Sequence, residues 1–161
     1  MAAATRLASV QMANTQLHDL IEECVARRGA HVIDIVQHGR GIDALVEVFI
    51  DTEVGVTSEL CADVSREVAR ELKATLLNPG SYRLSVSSPG IGRPLKFPWQ
   101  YKKHVGRELT IRWKAETGVI QTDGTLLSLD DTGILVEEEG GSAPTHIGFD
   151  RIVTAKVKAP W

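Results

Sequence analysis

The sequence predicts an α+β domain followed by a small all-β unit, a barrel of SH3-like or Sm-like type. Two observations carry that reading. Before residue 90, apolar residues recur alternately at helical and at strand spacing, whereas beyond residue 107 only short strand patterns and tight turns remain. Between the two regions Pro89, Pro94 and Pro98 alternate with Gly90 and Gly92. Neither a helix nor a central strand crosses such a stretch, because each proline removes an amide donor and restricts the residue before it. A length of 161 residues suits one ordinary domain or two small ones, so the proline-glycine stretch decides. It predicts an α-β-β-α-β domain over 1–91, with 1–13 disordered, and a β-barrel over 92–161 that opens with a short basic helix.

Asn14 or Thr15 is placed to cap a first helix, in which Leu17, Leu20, Ile21, Cys24 and Val25 form the apolar stripe and Gly29 is the stop. His31 to Gln37 and Ala44 to Ile50 alternate as strands around a Gly39-Arg40-Gly41 turn. In the second strand Val46, Val48 and Ile50 face one way, Glu47 and Asp51 the other, which predicts a sheet covered on one face. Thr57 caps a second helix, Glu59 suits its positive first turn, and Asn78-Pro79-Gly80 ends it. Tyr82 to Ser87 is the third strand. Pro98 then starts a short helix through Tyr101 to Val105, stopped by Gly106. The remaining strands are Glu108–Trp113, Val119–Gln121 with Thr125–Leu129, Ile134–Glu138, Thr145–Phe149 and Ile152–Val157. Turns are expected at Asp123-Gly124, Asp130 to Gly133 and Glu139-Gly140-Gly141.

The composition is that of a soluble globular protein, and no apolar run approaches the roughly 20 residues that span a bilayer. The start has one arginine and no apolar core of signal-peptide type; Met1 and Met12 are both candidate initiators. Cys24 and Cys61 lie in helical patterns without partners at metal-ligand spacing, which predicts reduced, buried thiols in a cytoplasmic protein. The net charge of -3 hides an uneven layout. Residues 1–90 carry 8 Lys/Arg against 12 Asp/Glu, residues 91–114 carry 7 against 1, and residues 115–161 carry 3 against 8. A basic belt thus lies between two acidic lobes, a layout that speaks to partners.

Ser87-Ser88-Pro89-Gly90-Ile91-Gly92-Arg93-Pro94-Leu95, with the basic segment that ends in Gly106-Arg107, resembles the signature of the bacterial ribosome maturation factor RimP family. The resemblance extends upstream to Val48-Phe49-Ile50-Asp51, Gly55-Val56-Thr57 and Cys61 through Ser65-Arg66, and downstream to Gly124-Thr125-Leu126-Leu127 and Ile152 to Val157. The family usually carries an acid where this chain has Gly92, so contacts made by that acid are not carried over. The resemblance implies the same two-domain arrangement. It also implies a non-catalytic, cytoplasmic factor that binds the free small (30S) ribosomal subunit during assembly and then leaves. Its partners would be 16S rRNA and a basic small-subunit protein, bound by a monomer with no cofactor and no membrane.

An enzyme finds no support. Gly90-Ile91-Gly92 opens neither phosphate-binding glycine motif, and Pro94 forbids a helix directly behind it. His31, His38 and His146 fall on or beside strands without metal-binding spacing, and no serine sits in a G-x-S-x-G elbow. The charges point to binding instead. Arg93, Lys96, Lys102, Lys103 and Arg107, near Trp99, Tyr101 and His104, suit phosphate contact and stacking on unpaired bases, or else form a solvated helix face whose aromatics, Trp99 above all, plug the joint between domains. Asp130, Asp131, Glu137, Glu138 and Glu139 suit a basic ribosomal protein, or else protect a sheet edge by charge. Pro89, Gly90, Gly92 and Pro94 form the interdomain connector, with Gly90 expected in a backbone conformation closed to other residues. A general RNA-binding module acting through barrel and basic junction is the alternative function.

Overall fold

The computed structural model describes residues 2–39, 44–74, 82–141 and 143–159, and the chain divides into two compact units, Met1–Ser88 and Pro89–Trp161. Secondary structure is mixed, with one sheet in each unit.

Helix α1 spans Ala2–Arg27. Asn14 and Thr15 are interior to it rather than caps, and residues 2–13, expected from sequence to form a disordered start, carry helical backbone. The run is rich in alanine, whose helix propensity outweighs the capping tendency of one asparagine. The end matches the sequence. Gly29 takes φ 74, its N–H bonds Ala26 O at 3.0 Å, and the Ala30 N–H bonds Val25 O at 3.2 Å. Those two bonds are the 5→2 and 6→1 pair of a Schellman stop.

Strands β1 (His31–His38) and β2 (Ala44–Asp51) pair antiparallel, and β2 pairs in parallel with β3 (Tyr82–Ser87). Helix α2 (Ser58–Ala74) makes the crossover between the parallel strands. Its first turn is capped as expected, with the Leu60 N–H on Thr57 Oγ1 at 3.1 Å. The expected stop at Asn78-Pro79-Gly80 and most of the Gly39-Arg40-Gly41 turn lie outside the described residues.

Both helices lie on one face of this sheet. Leu17, Ile21, Cys24 and Val25 from α1 and Val64, Val68 and Leu72 from α2 close over Val46, Val48 and Ile50. Asp51 departs from the alternation: it is buried, and its Oδ1 accepts the Thr52 N–H at 2.9 Å, because the strand ends there in a tight turn. Cys61 is only half-buried, unlike Cys24; both thiols are free, and burial pushes both up in pKa.

Ion pairs join the helices. Arg28 Nε bonds Glu67 Oε2 at 2.8 Å and Arg27 Nη1 bonds Glu67 Oε1 at 3.2 Å. The hydrogen bond from Arg28, more than the opposing desolvation, holds the Glu67 carboxyl below its usual range. A depressed carboxyl stabilises the fold above its unfolded pKa, and that contribution fades as pH falls through the folded value. Glu67→Gln is therefore expected to lower the stability of the wild-type unit near pH 7 while flattening its loss below about pH 4.5. Urea titrations followed by circular dichroism at pH 7 and pH 3.5 measure this. A wild-type-like pH slope in the variant would show that Glu67 does not set the acid sensitivity.

The second unit begins with the connector and a 3-10 helix over Pro98–His104, then β4 (Glu108–Ala115), β5 (Gly118–Leu129), β6 (Gly133–Glu138), β7 (Thr145–Gly148), a 3-10 turn at Phe149–Arg151, and β8 (Ile152–Val157). Spatial order is β7-β6-β5-β4-β8, with each neighbouring pair antiparallel. The edge strands β7 and β8 are not paired with each other, so this is not a closed barrel. It is nonetheless curled. A flat five-stranded sheet would hold its edge strands about 19 Å apart, yet four Cα steps from Gly148 to Ile152, at most about 15 Å, join them. The curl encloses Leu109, Ile111, Leu126, Ile134, Val136, Ile147, Ala155 and Val157.

The turn expected at Asp123-Gly124 is absent, and β5 runs unbroken for 12 residues. Gly124 is there for close approach: a Cβ would stand 2.6 Å from Val136 Cγ1 and 2.7 Å from Glu137 O. Glycine inside a strand marks such a site as readily as it marks a turn.

Candidate functional site

The basic segment is built around two buried residues. Gln100 is 1% exposed, and its Oε1 accepts the N–H groups of Lys96 at 2.7 Å and Phe97 at 2.9 Å. This glutamine pins the end of the connector to the 3-10 helix, a role sequence reasoning missed. Tyr101 is 3% exposed, packs on Phe149 with ring centroids 5.5 Å apart, and has its phenol pushed up to about 12 by burial. It belongs to the core of the unit and is not a platform for bases. The physical reason is the helix: three residues per turn leave one face inward, and Gln100 and Tyr101 occupy it.

Trp99 is half-buried and stacks on Phe97 at 5.8 Å with planes 8° apart; Lys96 lies over the Phe97 ring at 5.8 Å. Lys96, Lys102 and Arg107 are exposed, whereas Arg93 and Lys103 are half-buried. The aromatic ring that accompanies these cations is thus Trp99 rather than Tyr101. Gly106 stops the helix at φ 90, and its N–H bonds Leu126 O at 2.8 Å, which ties the segment to β5.

In the connector, the Arg93 N–H bonds Gly90 O at 3.0 Å, closing a turn, and the Leu95 N–H bonds Ala155 O of β8 at 2.7 Å. Pro89 is half-buried, whereas Gly90, Gly92 and Pro94 are exposed. Gly90 and Gly92 are not among the glycines with positive φ, and a Cβ at either would meet nothing within 4 Å. The expectation of a closed conformation at Gly90 is corrected: the connector is held by its prolines and by the bonds of Arg93 and Leu95. Space for a side chain also exists at Gly92.

The acidic residues separate into two groups. Asp130 organises the β5–β6 turn, its Oδ1 accepting the N–H groups of Thr132 at 2.7 Å and Gly133 at 3.0 Å and the Thr132 hydroxyl at 2.6 Å. The Thr132 bonds, its hydroxyl first, hold the Asp130 carboxyl down at about 2. Its Oδ1 is committed to the turn, its Oδ2 stands 3.6 Å from His146 Nε2, and exposed Asp131 sits beside it. Glu137, Glu138 and Glu139 lie at the other end of β6, all exposed. At about 3.3 Å per residue the two groups stand some 20 Å apart, so they do not make one surface.

The three glutamates instead join Glu108 around a hollow of about 370 Å³, lined also by Gly124, Thr125, Gly140 and Gly141. No local pattern marks Glu108 as part of this group, because cross-strand register brings it to Thr125, which pairs in turn with Glu137. Lys158 Nζ, 3.2 Å from Glu108 Oε1 and 3.8 Å from Asp123 Oδ2, answers part of that charge. Among the described residues no cluster of His, Cys, Asp and Glu is arranged to hold a metal, and no helix is long and apolar enough to cross a membrane.

A second hollow, of about 510 Å³, lies in the first unit between α2 and β3, lined by Thr57, Cys61, Ser65, Val86, Ser87 and Ser88 among others. Its walls come from three of the segments that carry the family resemblance. A comparison with known families agrees: residues 20–92 match the RimP N-terminal domain.

Proposed function

We infer the function from the premise that the chain belongs to the RimP family of ribosome maturation factors, residues 20–92 being its N-terminal domain. That match is the single observation that carries the reading. The chain acts by binding, without catalysis, on the free small ribosomal subunit in the cytoplasm, and leaves before subunits join. The second unit, with its curled sheet, serves as the SH3-like partner of the N-terminal domain.

Its two charged surfaces divide the work. Lys96, Lys102 and Arg107, with Arg93 and Lys103 beside them, contact 16S rRNA through phosphates. The glutamate hollow at Glu137, Glu138 and Glu139 engages a basic small-subunit protein, since acid there attracts a basic protein and repels bare RNA. Asp130 and Asp131 are left out of this second contact, since they stand at the opposite end of β6 from the glutamates.

Sedimentation of a cell extract tests the reading. The chain is expected with free small subunits and not with translating ribosomes, and its loss is expected to slow small-subunit maturation selectively. An even distribution across polysomes would overturn the assembly role. Equal affinity of the purified chain for unrelated RNA and for immature subunits would favour a general RNA-binding module.

A further inference from the structure

Strand β5 is paired with strands along both edges only where its two partners overlap, at Gly124 and Thr125. β6 reaches Gly124 through Glu138 and goes no further, because the chain turns away at Gly140 with φ 76. From Gly118 to Asp123 the edge of β5 that faces away from β4 has no strand beside it among the described residues. At about 3.4 Å per residue this open lane is roughly 20 Å long.

Sheet edges are normally blunted by lysine, proline, a bulge or sheer shortness. The other open edges of this sheet follow that rule: β7 has 4 residues, and β8 carries Lys156 and is met by the Leu95 N–H at Ala155. The lane on β5 reads G-V-I-Q-T-D, with Val119 50% and Ile120 40% exposed. Its one charge, Asp123, stands at the end that meets the glutamate hollow. The lane therefore has unspent main-chain donors and acceptors, apolar side chains at its far end and acid at its near end.

We propose that this lane takes an extended segment of a partner protein as an added antiparallel strand, in line with β6, its Lys/Arg-rich N-terminal end seated in the hollow of Glu108, Glu137, Glu138 and Glu139. The direction follows from register. A strand antiparallel to β5 runs the same way as β6, so it begins beside Glu138 and proceeds toward Gly118. Main-chain bonds supply affinity in such additions, while charge sets direction and partner. RNA is the poorer occupant, having no peptide groups to meet the lane and being repelled by the glutamates. The inference rests on the ribosome-assembly reading and specifies how its protein partner is held.

The test uses the full chain and a synthetic peptide of Lys-Arg-Lys followed by alternating Thr and Val. Amide hydrogen exchange is expected to slow at residues 118–123 on binding. Two forms of the peptide, N-methylated at one or the other set of alternate residues, separate edge pairing from simple charge attraction. The form methylated on the lane side is expected to bind roughly thirtyfold or more weakly, the other nearly as well as the parent. Glu137→Gln with Glu138→Gln and Glu139→Gln is expected to weaken the parent peptide roughly tenfold and to remove its advantage over the peptide of reversed sequence. Equal binding by both methylated forms overturns the proposal, as does protection at 118–123 by a single-stranded RNA oligonucleotide in place of the peptide. If the peptide fails while the chain still sediments with free small subunits, the added strand is wrong and the assembly reading stands.

Discussion

Gly133→Ala is expected to destabilise the second unit by about 3 kcal/mol or more, toward the top of the range for overpacking. Gly133 is buried where β6 begins beside β7. A Cβ there would overlap the Ile147 carbonyl oxygen and stand 2.8 Å from Gly148 Cα. Both obstacles are backbone, so no rotamer change relieves them, and the β6–β7 pair must separate. The unit is small, and a unit of this size has little stability to lose. Trp99 and Trp113 belong to the second unit and residues 1–88 contain no tryptophan, so tryptophan fluorescence follows the unfolding of the second unit. Gly90→Val is the internal control. With open space and no positive φ at Gly90, it is expected to change stability by less than about 0.5 kcal/mol. Urea midpoints that rank the two variants the other way would refute close packing as the reason for glycine at 133.

The second large effect is on RNA binding. Lys102→Ala with Lys103→Ala is expected to flatten the dependence of log affinity on log salt by roughly 1.4 for single-stranded RNA, about 0.7 for each phosphate no longer neutralised. The fold should tolerate the change, because the 3-10 helix is anchored by Gln100 and Tyr101 on its inner face and Lys102 is exposed. Titration of a 16S rRNA fragment between low and moderate salt gives the slope directly. Binding to a basic ribosomal protein should be unaffected or improved, since removing cations removes repulsion. An unchanged slope would take the RNA role away from these lysines.

Much of the fold was legible because its signals are local. Thr57 needed only the backbone of Leu60 to act as a cap. Gly29 needed only the preceding turn, and the alternation of Val46, Val48 and Ile50 needed only a pleat. Pro98 set the start of the 3-10 helix by itself. The basic and acidic residues were equally visible as composition, and the signature around Pro89 to Leu95 pointed to a family that the N-terminal match supports.

What the sequence by itself determined, then, is the set of elements, the side of each that turns inward, and the supply of charge. Tertiary structure decided what those elements meet. Asp123-Gly124 carries the dipeptide of a turn, yet β6 lies so close that glycine serves there as a place without a side chain. Tyr101 reads as an exposed aromatic among lysines until Phe149 arrives from across the unit to cover it. Glu108 and Lys158 become partners across 50 residues of sequence. Asp130 and Glu137 look like one acidic tract but are held at opposite ends of a strand. In each case the deciding contact is non-local, fixed by strand order and register, and a run of side chains read along the chain carries no record of which strand will lie beside it.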